Sequence, residues 1–189
     1  IEDTVVMYKG TAIITRPGSD SRKPEIIAVE KVVTELGHPI ARISEPATLD
    51  GGDVLKVDDT IYVGNGGRTN LEGIAQFASI VEPLGAKVVT VPISKVLHLK
   101  SAVTALPSGE IIGFEPLVDD PSIFPDFVAV PEESGSHVVI VGEKRLLMAA
   151  DAPETAETLR DMGYFVIEVD ISEFIKLEGC VTCLSVRIR

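Results

Sequence analysis

The sequence predicts an α/β protein made of small mixed sheets set around an axis, in the manner of propeller blades. Three observations lead there. A strand pair, a helix, a glycine and a further strand recur in that order at Thr4 to Ile43, Val54 to Val91 and His137 to Val169. Each predicted helix stops at a glycine (Gly37, Gly85, Gly163), which suits a left-handed cap. Two strands precede each helix, whereas a doubly wound parallel sheet would have one.

The elements follow from periodicity. Short runs rich in Val and Ile predict strands over Thr4 to Tyr8, Thr11 to Thr15, Ile40 to Ile43, Val54 to Val57, Thr60 to Gly64 and Lys87 to Val91. Further strands are expected at Ala102 to Leu106, Ile111 to Phe114, His137 to Val141, Leu146 to Ala149, Phe165 to Val169 and Val181 to Ile188. Apolar positions at helical spacing cover Pro24 to Leu36, Asn70 to Leu84 and Pro153 to Met162. A fourth, weaker copy of the module is expected between Ser101 and Val130, its helix disturbed by Pro116, Pro121 and Pro125. No low-complexity stretch divides the chain, so residues 1–189 are read as a single domain.

Composition narrows the function. A chain of 189 residues with 45% hydrophobic content can bury a full core. No apolar run approaches the ~18 residues of a membrane span, and no basic-then-apolar leader is visible. A cytoplasmic address and no membrane partner are therefore expected. The 29 acids against 17 bases give a net charge of −12, which disfavours nucleic acid and suits a small cationic ligand. The chain opens at Ile1 and enters a strand-like run after Glu2-Asp3, as if part of the protein preceded it.

The chemistry-bearing residues are few. Cys180-Val-Thr-Cys183 lacks a second Cys or His pair at zinc-ligand spacing, since the histidines are His38, His98 and His137. A redox pair should precede a helix, whereas this one enters a predicted strand. Two small apolar core residues or one catalytic thiol remain. His98, among leucines in Leu97-His-Leu-Lys100, reads as a core histidine or as the proton-transfer partner of such a thiol. His38 and His137 read as turn residues. Asp50-Gly-Gly-Asp53 is a tight turn whose glycines would let backbone approach a ligand while its carboxylates face a pocket. Glu2-Asp3 is a second acidic pair. Arg22 and Arg68 each stand just before a helix, where the dipole disfavours them by ~0.3–1 kcal/mol.

Together the motifs resemble the dimethylarginine dimethylaminohydrolase family. Glu2-Asp3, Thr15-Arg-Pro-Gly18 with Ser21-Arg22, and Thr48-Leu-Asp-Gly-Gly-Asp-Val-Leu55 come first. Arg68-Thr-Asn70, Leu97-His-Leu-Lys-Ser101 and Thr182-Cys-Leu-Ser-Val186 complete the family's order. The resemblance implies a pseudo-symmetric five-bladed α/β propeller of ββαβ modules, its first blade missing or incomplete here. Residues 1–189 would then be the C-terminal portion of a guanidine-hydrolase catalytic domain.

It further implies Cys183 as nucleophile with Cys180 a bystander, His98 as general acid/base, and Asp50 as the carboxylate orienting it. Glu2 and Asp3 would flank the guanidinium, Arg22 and Arg68 would clamp the substrate carboxylate, and Ser101 and Leu177 would line the pocket. The implied reaction converts N-ω-methylated arginine to citrulline and an amine through a cysteine thiouronium, without metal or organic cofactor. Related deiminases carry an Asp two residues after the histidine. Lys100 stands there, which favours methylated arginine over arginine. A homodimer stays open as the assembly. Arginine deiminase or another guanidine hydrolase, a non-catalytic binding protein on the same propeller, and a zinc-binding module are the alternatives.

Overall fold

The computed structural model describes residues 1–188. The chain forms two compact units: Ile1–Leu99 joined by the segment from Ser185 onward, and Lys100–Leu184. Each holds two three-stranded sheets, and every sheet follows one plan, an antiparallel hairpin with a third strand added parallel.

In the first unit, β1 (Val5–Tyr8) pairs antiparallel with β2 (Thr11–Ile14), and β3 (Ile40–Arg42) joins β2 in parallel. The crossover is α1 (Ile26–Glu35). The second module repeats this with β4 (Val54–Val57), β5 (Thr60–Asn65), α2 (Leu71–Val81) and β6 (Lys87–Pro92). Glycines 37 and 85 take φ of 80° and 93° after their helices, the left-handed conformation the sequence demands of them. Asn70 caps α2, its side chain accepting from the Gly73 N–H. The predicted Pro24–Leu36 helix starts late. Residues Asp20–Glu25 form a 3₁₀ turn containing Pro24, and the α-helix begins only at Ile26.

Both faces of the first hairpin are buried, which explains why its strands read as continuous apolar runs. Val5, Met7, Ala12 and Ile14 pack with Val33 of α1, while Val6, Tyr8 and Ile13 point the other way. The latter join Leu49, Val54, Ile61, Val63, Ile74, Phe77 and Val81 in a core shared by both modules. Alternation at period two thus puts one strand into two cores.

The second unit begins with the weak copy. Strands β7 (Val103–Ala105) and β8 (Ile111–Gly113) pair antiparallel, and β9 (Phe127–Ala129) adds in parallel. Its crossover is not an α-helix but two 3₁₀ turns, Glu115–Leu117 and Pro121–Ile123. Pro116 and Pro121 lack backbone donors and bias the residue before each away from the helical region. Phe124 is buried beside this crossover and stacks on Phe127 at 6.4 Å between ring centroids. The last module is regular: β10 (Val138–Gly142), β11 (Arg145–Ala149), α3 (Pro153–Asp161) and β12 (Phe165–Val169). Leu146 and Met148 of β11 enter a core with Val138, Ala156 and Leu159, while Ala149 faces Ile171 and Val181.

A short helix, α4 (Ser172–Ile175), has no counterpart in the sequence reading, being one turn long and below any detectable period. The strand expected over Val181 to Ile188 is absent. Val181 to Leu184 form a turn, and Ser185 to Ile188 have no regular structure. The apolar side chains that suggested a strand are spent on packing instead: Val181 joins the cluster around Ala149, and Val186 packs on the β1–β2–α1 core.

Phe77 is fully buried in the core of the first unit. Phe77→Ala is expected to cost about 3–5 kcal/mol, read from urea unfolding of the whole chain. An unchanged midpoint would contradict this packing.

Candidate active site

The densest cluster of ionisable groups lies within the first unit, where three segments far apart in sequence converge. The 3₁₀ turn Glu2–Thr4 brings Asp3, the turn Gly51–Asp53 brings Asp50 and Asp53, and the chain after β6 brings His98. Asp50 and Asp53 are wholly buried, and Asp3 and His98 nearly so.

Asp50 accepts from the Gly18 N–H at 2.8 Å through Oδ1 and pairs with His98 Nε2 at 2.9 Å through Oδ2. The other carboxylate near the ring is Asp3, whose Oδ1 lies 3.8 Å from the same nitrogen. Asp3 is itself held by the Gly52 N–H and by Arg22 Nη1, both at 2.8 Å. Gly52 is required here. A Cβ on it would stand 2.7 Å from Asp3 Oδ1 and 2.9 Å from His98 Cγ, so any side chain would push the imidazole or the acid away. The ring is held through Nε2, and its Nδ1 faces Gly52, where a Cβ would stand 3.0 Å from it.

These contacts set the protonation states. Burial works against a charged His98, but the Asp50 hydrogen bond and the charges of Asp3, Asp53 and Asp50 outweigh it, so its pKa rises. Burial also opposes the Asp3 carboxylate, yet the charge of His98 and the Arg22 and Gly52 hydrogen bonds win, and its pKa falls. Asp53 goes the other way. Burial pushes it up to about 6, against the favourable charge of His98 and its hydrogen bonds from Thr69 and Leu99.

The sequence reading had Asp53 face a pocket together with Asp50, whereas the structure buries it and turns both its oxygens onto the protein. Its Oδ1 accepts the Leu99 N–H at 2.9 Å, directly after His98, and its Oδ2 accepts from Thr69 Oγ1 at 2.6 Å. Thr69 Oγ1 in turn accepts the Asp50 N–H at 3.1 Å. Asp53 therefore fixes the backbone on both sides of the Asp50–His98 pair. The signal was present in the duplicated acid of Asp50-Gly-Gly-Asp53, but its partners are long-range and invisible to spacing.

Arg22 is occupied. Besides Asp3 it forms a fork with Glu25, through Nε at 3.0 Å and Nη2 at 2.8 Å, and these partners raise its pKa. Arg68 differs: its Nη1 is buried and has no hydrogen-bond partner among the described residues. Glu2 is half-buried, and its backbone carbonyl lies so close to Gly51 that a Cβ there would stand 2.2 Å from it.

Asp3, Asp50 and His98 each offer a ligand atom, all within 4.8 Å of one another. Their lone pairs are already directed at Gly52, Arg22, Gly18 and each other, so the cluster is satisfied as an ion-pair network.

The remaining expected site residues belong to the second unit. Cys180 is buried and Cys183 partly exposed, their sulfurs 3.1 Å apart in the turn that replaces the expected strand. The Cys183 hydrogen bond, His137 and Thr182 hold the Cys180 thiol down to about 4 against the effect of burial. Because one proton is shared along the S···S contact, this acidity belongs to the pair. Ser101 ends a 3₁₀ turn, Leu99–Ser101, and its carbonyl oxygen lies 3.0 Å from His137 Nε2. Leu177 is 84% exposed. Of the other histidines, His38 lies after α1 with Nδ1 2.9 Å from the Gly10 carbonyl.

No protein-family model matches the chain. Individual relatives do. The chain is 62% identical over 189 residues to the N(G),N(G)-dimethylarginine dimethylaminohydrolase of Streptomyces coelicolor, covering all of this chain and 73% of that one. It superposes with a TM-score of 0.88 and 36% identity on a cysteine-to-serine mutant of the Pseudomonas aeruginosa dimethylarginine dimethylaminohydrolase complexed with citrulline, covering 96% of this chain and 72% of that one. The same TM-score of 0.88 and 36% identity hold for a histidine-to-glycine variant of such an enzyme in adduct with S-methyl-L-thiocitrulline, with 96% and 73% coverage. By its likeness to the Streptomyces protein over its whole length, this chain belongs to the dimethylarginine dimethylaminohydrolase family.

Proposed function

We propose that the chain hydrolyses N-ω-methylated arginine to citrulline and methylamine or dimethylamine through a covalent cysteine intermediate. It is a hydrolase of amidine C–N bonds. The observation that carries the reading is His98, held through Nε2 by the buried Asp50, with its pKa raised by that bond and by the neighbouring acids against the effect of burial. An amine leaves a tetrahedral carbon only if it is protonated, and a histidinium with a fixed ring supplies that proton.

In the proposed sequence the acids hold the guanidinium protonated and hence electrophilic. Cys183 attacks as thiolate, forming a C–S bond and a tetrahedral adduct. His98 gives its proton to the amine nitrogen as the C–N bond breaks. The planar thiouronium is then attacked by a water that His98, now neutral, deprotonates, and collapse releases citrulline and the Cys183 thiolate. Asp50 keeps the ring oriented and stabilises its charge. Asp3, and Glu2 beside it, supply negative charge to the guanidinium. Ser101 and Leu177 are assigned to the pocket wall on the family resemblance alone.

Arg68 and Arg22 are proposed to receive the substrate α-carboxylate. The unpartnered Nη1 of Arg68 is a donor in want of an acceptor. Arg22 would give up its exposed Glu25 partner, a cheap exchange because such surface pairs are worth ~0–1 kcal/mol. Lys100, two residues after His98, removes an acid that would bind unsubstituted guanidinium nitrogens, and so favours the methylated substrate.

We further read the four sheets as four of the five blades of a pseudo-symmetric propeller, the first blade being missing or incomplete in residues 1–189, and the whole chain as one catalytic domain. The 73% coverage of the Streptomyces relative supports this. A cytoplasmic enzyme acting on a free amino acid, with no nucleic-acid or membrane partner, fits the net charge of −12. No helix among the described residues is long and apolar enough to cross a membrane. No cofactor enters the chemistry.

Citrulline release from asymmetric dimethylarginine by the complete protein tests the reading. Cys183→Ser should abolish turnover and covalent trapping, and Cys180→Ser should spare both; turnover surviving in Cys183→Ser removes the mechanism. Arg68→Ala should raise KM about ten- to a hundredfold with kcat little changed, the loss of one charge-assisted contact made equally in ground and transition states. An unaltered KM would free Arg68 of the role.

The acid cluster also predicts a pH dependence. Asp53 binds its proton more tightly in the folded chain, so its contribution to stability is complete below 3.8 and is lost as pH rises through about 6. Asp53→Asn should remove on the order of 3 kcal/mol of that decline, read from urea midpoints between those limits. The raised His98 adds a loss above 6.5, which the variant keeps in part, because Asp53 is one of several acids that raise it. An unchanged slope below pH 6 would refute the assignment.

A further inference from the structure

We propose that Cys180 is a resolving cysteine: under peroxide it forms a reversible disulfide with Cys183, which switches the enzyme off and protects its nucleophile from irreversible oxidation. The loss of activity rests on Cys183 being the nucleophile; the disulfide itself does not.

The geometry supports the pairing. The two sulfurs are 3.1 Å apart in the reduced chain, and a disulfide needs about 2.0 Å, so closure takes a shift of roughly 1 Å. Sequence reasoning set a redox role aside because such a pair should precede a helix whose N-terminus would stabilise a thiolate, whereas this one was expected to enter a strand. Neither helix nor strand follows among the described residues; the turn from Val181 to Leu184 instead folds Cys183 back onto Cys180. Exposure is divided between the two in a useful way. Cys183 is accessible to a small oxidant, whereas Cys180 is buried behind it.

The surroundings favour an ionised sulfur. Thr182 Oγ1 lies 3.1 Å from Cys180 Sγ, and His137 contributes favourable charge. An acidic, hydrogen-bonded partner thiol attacks quickly at neutral pH, where an ordinary thiol would be mostly protonated.

The chemistry balances with a hydroperoxide as oxidant. The Cys183 thiolate attacks the O–O bond, becomes a sulfenic acid and releases hydroxide, which leaves as water. The Cys180 thiolate then attacks the Cys183 sulfur; the S–S bond forms, the S–O bond breaks, and the second hydroxide takes a proton. Two electrons pass from the cysteine pair to one peroxide. A dithiol reverses the state by exchange. Without a partner, the sulfenic acid would proceed to the sulfinic acid, which thiols do not reduce.

The test treats the complete protein with a several-fold molar excess of hydrogen peroxide, since a sulfinic acid consumes two peroxides, and follows the tryptic peptide Leu177–Arg187, which carries both cysteines. The expected product is lighter by two hydrogens and unreactive to iodoacetamide, and dithiothreitol restores both thiols and full turnover. In Cys180→Ser the same dose should leave Cys183 heavier by two oxygens, with turnover permanently lost. Sulfinic Cys183 in the unmutated protein, or equal recovery in the variant, overturns the proposal. Cys180→Ala serves as a second variant, and the mass measurement on the unmutated protein needs neither. A disulfide formed in a protein that never turned over methylarginine would sink the proposed function and leave the redox pair standing. Turnover without a disulfide would do the reverse.

Discussion

The arrangement depends first on burying a carboxylate that cannot be left alone. Asp50 is sealed from solvent, and an unpaired charge there would cost several kcal/mol. Its two oxygens are answered by the Gly18 N–H and by His98, so the loop before the first helix and the chain after β6 must both come to it. Gly18 can make this approach because it has no side chain. A Cβ there would overlap the Arg68 carbonyl at 2.2 Å. One desolvated acid thus fixes the loop, the imidazole and the arginine-bearing turn at once.

The modules make such convergence possible. The first module buries its hairpin on both faces, and the segments outside the modules' strands and helices are left to carry chemistry. Asp3, Asp50 and His98 all lie outside strands and α-helices, in segments whose ends are pinned by strands. Rigid elements supply the frame and short irregular segments supply the groups. The acids and the base are therefore held without flexible side chains having to search for one another. Asp53 and Thr69 complete the network by tying the backbone of Asp50 to that of Leu99.

Much of this was legible in the sequence. Glycines 37, 85 and 163 marked the helix ends, and the strand runs gave three modules with boundaries accurate to a residue or two. Asp50 and His98 stood out as residue types that do chemistry, and the structure joins them directly. What escaped notice depended on partners distant in sequence. The role of Asp53 rests on Thr69 and Leu99, and the engagement of Arg22 on Asp3, none of which spacing reveals. The misread terminal strand has a different cause. Val181 and Val186 carry the hydrophobicity of a strand, but each docks on a different core, and no neighbouring edge accepts the backbone between them.

The placement of Val186 has a consequence for biosynthesis. The first unit is discontinuous in sequence: the core formed by Val5, Met7, Ala12, Ile14 and Val33 also takes a side chain from beyond Leu184. A ribosome that has delivered Ile1–Leu99 has therefore not delivered every residue of that unit. Residues Lys100–Leu184 must be synthesised before Val186 can dock. Vectorial assembly gives way to a closing step that waits on the segment after the second unit.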